Sequence, residues 1–289
     1  MSSTSTPPRP RIRLVATALL LLIPLSLGCS GLLQNLGAKW VTRQIAAEFD
    51  LDEAQTAATR ASVDRLIAAA PAALSTKVDM LVASVDAAIA KGFTEKDLMG
   101  MERQVDKIVD VVAGAIMDEA APILATLRDE QIDFAEARIR ERLDEAREEI
   151  EKPKEERLEK RQDAFVEAVE DWADDITDEQ EALLRRFIAK LPDEGALRLK
   201  ADEERLERVA ALMRKHPGAE AIRAGLWTEW KNREQWGLES RTPAERRAEG
   251  REAILFVYGM LDAEQREHAS EHLHELHSKV KAFLGVAGS

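Results

Sequence analysis

The chain has 289 residues, with 54 Asp and Glu against 41 Lys and Arg, a net charge of -13 and a single cysteine. That balance excludes nucleic acid as the expected partner, because phosphate chains need clustered, uncompensated Lys and Arg. One cysteine excludes an intrachain disulfide framework, so stability has to come from packing, and the length suffices for one large or two modest domains.

The N-terminus comes first and carries the clearest address signal. Arg9, Arg11 and Arg13 precede an apolar run from Leu14 to Leu27, shorter than the roughly 20 residues a membrane-spanning helix requires. A basic segment followed by a short apolar one reads as a secretory signal. The run ends in Ser26-Leu27-Gly28-Cys29, which resembles the bacterial lipobox: a small residue precedes a cysteine that becomes the first residue after cleavage. Ser26 stands where that motif most often has leucine. A catalytic thiolate is disfavoured, since Cys29 would open the mature chain rather than line an enclosed electropositive pocket. The expected organisation is a signal peptide over 1–28, cleaved between Gly28 and Cys29, and a helical lipoprotein domain over 29–289. The expected cofactor is none beyond covalent lipid on Cys29. Ser30 is not the aspartate that favours inner-membrane retention, so the expected address is the outer membrane, facing the periplasm. Residues 1–28 hold three positive charges and no acid, so the remainder carries about -16.

Beyond the signal the pattern predicts helices almost throughout. Apolar residues recur at spacings of three and four in Val78, Leu81, Val82, Val85 and Ile89, in Phe165, Val166, Val169 and Trp172, and again in Ile254, Val257, Tyr258 and Leu261. Breaks are expected at Pro71, Gly92, Pro122, Pro153, Pro192, Pro217–Gly218 and Pro243. The predicted fold is all-α: an elongated multi-helix bundle of about eight to ten helices. Residues 136–163 are nearly all charged, with pairs such as Glu136 and Arg140 four apart, and predict two exposed helices meeting at Pro153.

One signal occurs four times, an apolar residue followed four positions later by Gln. The copies are Leu51 to Gln55, Leu127 to Gln131, Ile176 to Gln180 and Leu261 to Gln265. With Asp52, Thr177 and Asp262 as N-caps, each Gln falls at N3, where its side chain can reach the cap's backbone N–H. Arg128 is a poor cap for the second copy. Thr94 to Asp97 is a fifth start of capping-box type. Helices opening at Pro153 and Pro243 lead to Gln180 and Gln265, which suggests a helical-hairpin repeat within 153–289.

Several of these residues together resemble one family. The lipobox cysteine, Trp40 in the first helix, Phe49-Asp50-Leu51 with Gln55, Glu155-Glu156-Arg157, Glu170-Asp171-Trp172 before Ile176 to Gln180, and the Leu261 to Gln265 start look like a group of bacterial lipoproteins catalogued as a domain of unknown function, numbered 6279. The resemblance implies an envelope location and an all-helical fold, and carries no catalytic residues. The Gln-bearing starts are also similar to those of the small periplasmic Spy and CpxP stress chaperones, although capping alone produces the same spelling.

Chemistry has one candidate. His268, Glu271, His272 and Glu275 share a helix face at spacings of three and four, which suits a divalent metal, and His268 to His272 spells the H-x-x-E-H of inverted zinc peptidases. The apolar stripe Ala269, Leu273, Leu276, Val280 and Phe283 instead puts the histidines on its flank and outer side, the place of a solvated polar face. Nothing completes a peptidase site, and opportunistic divalent metal stays open. Trp227, Trp230 and Trp236 stand out in a chain that is 4% aromatic; Trp230 continues the Ile222 and Leu226 stripe into a core, and the other two are free to cover a helix or face a partner. No phosphate loop or nucleophile elbow occurs. The expectation is a non-enzymatic, membrane-anchored binding or structural protein with a protein or envelope partner. The alternatives are a chaperone-like stress protein and a metal-binding protein using the C-terminal helix.

Overall fold

A computed structural model describes residues 30–285, with side chains from Gly37 onward. Gly28 and Cys29 lie outside the described residues, as do the side chains of Leu32, Leu33 and Leu36. Ten helices and no strand are found among the described residues, so the chain is an all-α, multi-helix protein. They are α1 (Ser30–Phe49), α2 (Glu53–Lys91), α3 (Glu95–Leu124), α4 (Asp129–Glu151), α5 (Lys154–Ala173), α6 (Asp178–Lys190), α7 (Gly195–Met213), α8 (Ala219–Lys231), α9 (Pro243–Met260) and α10 (Ala263–Phe283).

Half of the ten helices begin where the sequence provides a side-chain cap. Asp52, Thr94, Thr177, Thr242 and Asp262 each accept a hydrogen bond from the N3 backbone N–H, while the N3 side chain reaches back to the cap. Two expected breaks are absent, because Pro71 lies inside α2 and Pro122 inside the last turn of α3. A proline removes one N–H and crowds one carbonyl, a local cost. At Pro122 the helix has only two residues left to run, and Pro71 lies in a 39-residue helix packed along α1 and α3.

The long α2–α3 hairpin is the centre of the packing. Helix α1 lies on α2 and α4, α8 lies on α3, and α7 lies on α4, while α5 pairs with α6 and α10. Helix α10 also lies on α2 and α1. Burial is divided among three apolar clusters. One joins Ala121, Leu127, Ile132, Met213 and Ile222 across α3, α4, α7 and α8. A second holds Val166, Val169, Ala173, Leu184 and Leu261, beside the stacked rings of Phe187 and Phe256. A third, of Ala88, Leu98 and Met101 with Leu255, closes the tip of the hairpin. Helices α7 and α8 approach closely at Gly225, where an added Cβ would sit 2.3 Å from Leu212 Cδ2.

Candidate functional site

The C-terminal helix disperses its histidines rather than gathering them. His277 Nε2 lies 2.6 Å from Asp79 Oδ1 on α2, and His274 Nε2 lies 3.2 Å from Asp86 Oδ1. Ser270 Oγ donates to the same Asp86 carboxylate at 2.9 Å. His272 meets the Trp172 ring of α5 edge-on, with centroids 4.9 Å apart. His268 is half-buried, and Glu271 and Glu275 are exposed, so the four candidate ligands are not focused on one point. Among the described residues no group of three or more His, Cys, Asp or Glu side chains is arranged to hold a metal ion. Glu271, His274, Glu275, Ser278 and Lys279 line only a shallow, open depression. The contacts do have an electrostatic consequence, since His277 and then Lys281 hold the Asp79 carboxyl below its ordinary range.

The tryptophans are engaged within the fold. Trp230 Nε1 donates to Asp110 Oδ1 on α3 at 2.8 Å, and the Arg233 guanidinium covers its ring at 4.2 Å. Trp227 packs over Gly114 of α3, where a Cβ would meet its ring at 3.8 Å. Trp236 is covered by Arg246 at 3.5 Å. A cation over an indole face is attractive and covers the ring, so this group fastens α8 and the loop after it.

The four glutamine-bearing starts meet in two pairs. Gln55 Nε2 donates to Gln131 Oε1 at 3.2 Å and Gln131 Nε2 donates back to Gln55 Oε1 at 2.7 Å. Gln180 Nε2 donates to Gln265 Oε1 at 2.8 Å and Gln265 Nε2 returns the bond at 2.9 Å. Every second amide proton goes to the carbonyl five residues before the partner glutamine: Thr126 for Gln55, Asp50 for Gln131, Met260 for Gln180 and Asp175 for Gln265. Each Oε1 also accepts its own cap's backbone N–H, from Asp52, Arg128, Thr177 and Asp262. That last bond orients the amide, and the two pairs repeat one pattern.

Such a clasp explains why the N3 residue is Gln. A capping box accepts an acid at N3, as Asp97 and Glu245 show in α3 and α9. The reciprocal pair requires an amide, because a carboxylate has no N–H to give. The poor cap at Arg128 is thereby accounted for: its side chain makes no capping bond, and Gln131 satisfies its backbone N–H instead. The apolar residue four before each Gln anchors the clasp, with Leu51 and Leu127 in the first cluster and Ile176 and Leu261 in the second. The geometry binds helix ends to one another; it leaves no amide proton for a substrate.

Exposed apolar side chains lie elsewhere. Met80 on α2 is 59% exposed, Trp40 on α1 47%, and Val105 and Ile116 on α3 about as much as each other at 41% and 42%. They supply apolar surface on the α1–α3 part of the molecule.

Among the curated proteins and the solved structures none matches the chain. A family model does match, over residues 48–239, about two thirds of the chain. The matched range takes in the first three clasp glutamines, α2 through α8 and the tryptophan group, and it places this chain in the family of unknown function DUF6279.

Proposed function

We propose that the chain is a lipid-anchored protein of the bacterial cell envelope, held through Cys29 on the periplasmic side of the outer membrane, with a helical body that acts as a non-enzymatic binding or structural element. The observation that carries this reading is the arginine-led apolar run ending in Gly28-Cys29. Helix α1 is described from Ser30, the residue after Cys29, so an acyl group on Cys29 would hold the helical body near the bilayer. One acyl chain binds a membrane marginally and two or more bind it stably. Helix α2 is long and apolar enough to cross a membrane by length and composition alone. Its Asp79 and Asp86 bond to α10 and its Arg65 to Glu119 of α3, which favours a helix of the folded body. The test is Cys29→Ser in cells: loss of labelling by a palmitate analogue and release from the membrane fraction are expected, and undiminished labelling contradicts the reading.

A second reading, a chaperone-like envelope protein, is favoured by the apolar side chains left open on α2 and α3. Met80→Glu with Ile116→Glu then lowers the protein's suppression of aggregation of an unfolded client. Absence of any suppression by the unsubstituted protein removes this reading.

A further inference from the structure

Ion pairs across one boundary of the molecule all run the same way. Helices α2 and α3 contribute the acids, and α9 and α10 contribute the bases. Arg247 lies 2.7 Å from Asp106 and Arg251 lies 2.9 Å from Glu102. Farther along, Asp86 meets His274, and Asp79 meets both His277 at 2.6 Å and Lys281 at 3.7 Å; the two histidine contacts are ion pairs only when the imidazole is protonated, and the Lys281 pair is one throughout. No pair of the opposite sense joins these helices among the described residues.

The topology gives this seam its importance. Helices α5, α6, α9 and α10 form one body around the second clasp and the second apolar cluster. That body reaches the α2–α3 hairpin through α9 and α10. At the hairpin tip the apolar contacts are Leu255 against the Ala88, Leu98 and Met101 cluster, and Tyr258 set edge-on to Phe93 and donating to the Ile89 carbonyl at 2.7 Å, while α10 buries Ala269 and Leu273 farther along. The seam is also incompletely satisfied. Arg251 Nε is buried without a hydrogen-bond partner, with Glu95 Oε1 3.6 Å away, an arrangement that costs free energy in the docked state. The α7–α8 hairpin also places bases on acids of α3 and α4, in Arg223 with Asp118, Lys231 with Asp110 and Arg214 with Asp133, but it is in addition fixed by the fully buried Ile222 and by Met213.

We infer that α9 and α10 are an electrostatic strap over the tip of the α2–α3 hairpin, released by ionic strength, and that release uncovers the apolar face of Ala88, Leu98 and Met101. The more exposed of these pairs, Arg247 with Asp106 and Lys281 with Asp79, are screened as the Debye length falls from about 10 Å near 0.1 M salt to about 3 Å at 1 M, and the largely buried Arg251 with Glu102 less so. Apolar packing, by contrast, is not weakened by moderate sodium chloride.

Hydrogen exchange of the full chain in detergent, read by mass spectrometry at about 50 mM and about 1 M sodium chloride, tests the inference. The amides of α10 and of residues 80–101 are expected to exchange roughly tenfold faster at high salt, with a much smaller change in α7 and α8, whose ion pairs are backed by the first apolar cluster. Asp79→Asn with Asp86→Asn should reproduce most of that acceleration at low salt and leave little further salt response in α10. Exchange in α10 that ignores salt, or that rises in step with α7 and α8, overturns the strap. If the double variant loses protection throughout, the salt response of the unsubstituted chain decides alone.

Discussion

The first glutamine clasp is built into the molecule's interior, and the second sits nearer its surface. Gln131 is 1% exposed and Gln55 7%, and the amide of Gln55 has a further partner in the Thr126 hydroxyl at 3.2 Å. Arg128 reaches across to Asp52 at 3.0 Å, tying one cap to the other. In the second clasp Gln265 is buried but Gln180 is half-buried. Asp174, Asp175, Asp178 and Glu179 around it are exposed, and no arginine crosses between the Thr177 and Asp262 caps among the described residues. The same hydrogen bonds are therefore set in two dielectric surroundings. In the drier one an unmade bond costs more, because water is less able to replace the lost partner.

That difference can be broken from the strong side first. Gln131→Ala strands the Gln55 amide, the Asp50 carbonyl and the Arg128 N–H together, and a loss of about 3 kcal/mol in urea unfolding is expected. Gln131→Glu should be almost as damaging at pH 7, since it removes both amide donors and buries a carboxylate. Burial raises the pKa of that carboxyl, so the stability deficit is present above the raised value and shrinks as pH falls through it, when the protonated acid can donate one bond. Stability curves at pH 7 and pH 5 would show the narrowing, and a deficit that widens toward pH 5 contradicts the donor argument. Packing rather than polarity is probed by Gly225→Val, which drives a side chain into Leu212 and should cost about 2 kcal/mol. Gln180→Ala, on the wetter side, is expected to cost about 1 kcal/mol, with water taking over part of the bonding.

The smallest effect sharpens the comparison through charge. Asp52 is held below the ordinary carboxylate range by the Gln55 backbone N–H first and then by the Arg128 side chain. A depressed pKa stabilises the fold above the unfolded value and loses that contribution as pH falls through the folded one. Removing Arg128 by Arg128→Ala therefore lessens the depression. A modest upward shift of the Asp52 titration, followed by carbon-detected NMR, is expected.

Much of this arrangement was legible in the residues. The period of the apolar positions fixed helices, and Asp52, Thr177 and Asp262 marked their starts with Gln at N3. The use of Gln where an acid serves Thr94 and Thr242 is the signal that could have exposed the clasps. Nothing local says which Gln meets which, because partners 76 and 85 residues apart are joined only when whole helices pack. Pro71 and Pro122 show the converse error, a local rule overridden by tertiary support. The histidine spacing satisfied a metal-ligand pattern on a bare helix, but Asp79, Asp86 and Trp172 come from two other helices and draw His277, His274 and His272 to separate partners.

The claim that four glutamines work as two reciprocal pairs is tested most directly by double-mutant cycles. Gln55→Ala with Gln131→Ala should show a coupling of about 1–2 kcal/mol, and Gln55→Ala with Gln265→Ala, which joins one member of each clasp, a coupling near zero. Additive losses within the first pair would mean that each glutamine only caps its own helix, and would contradict the account.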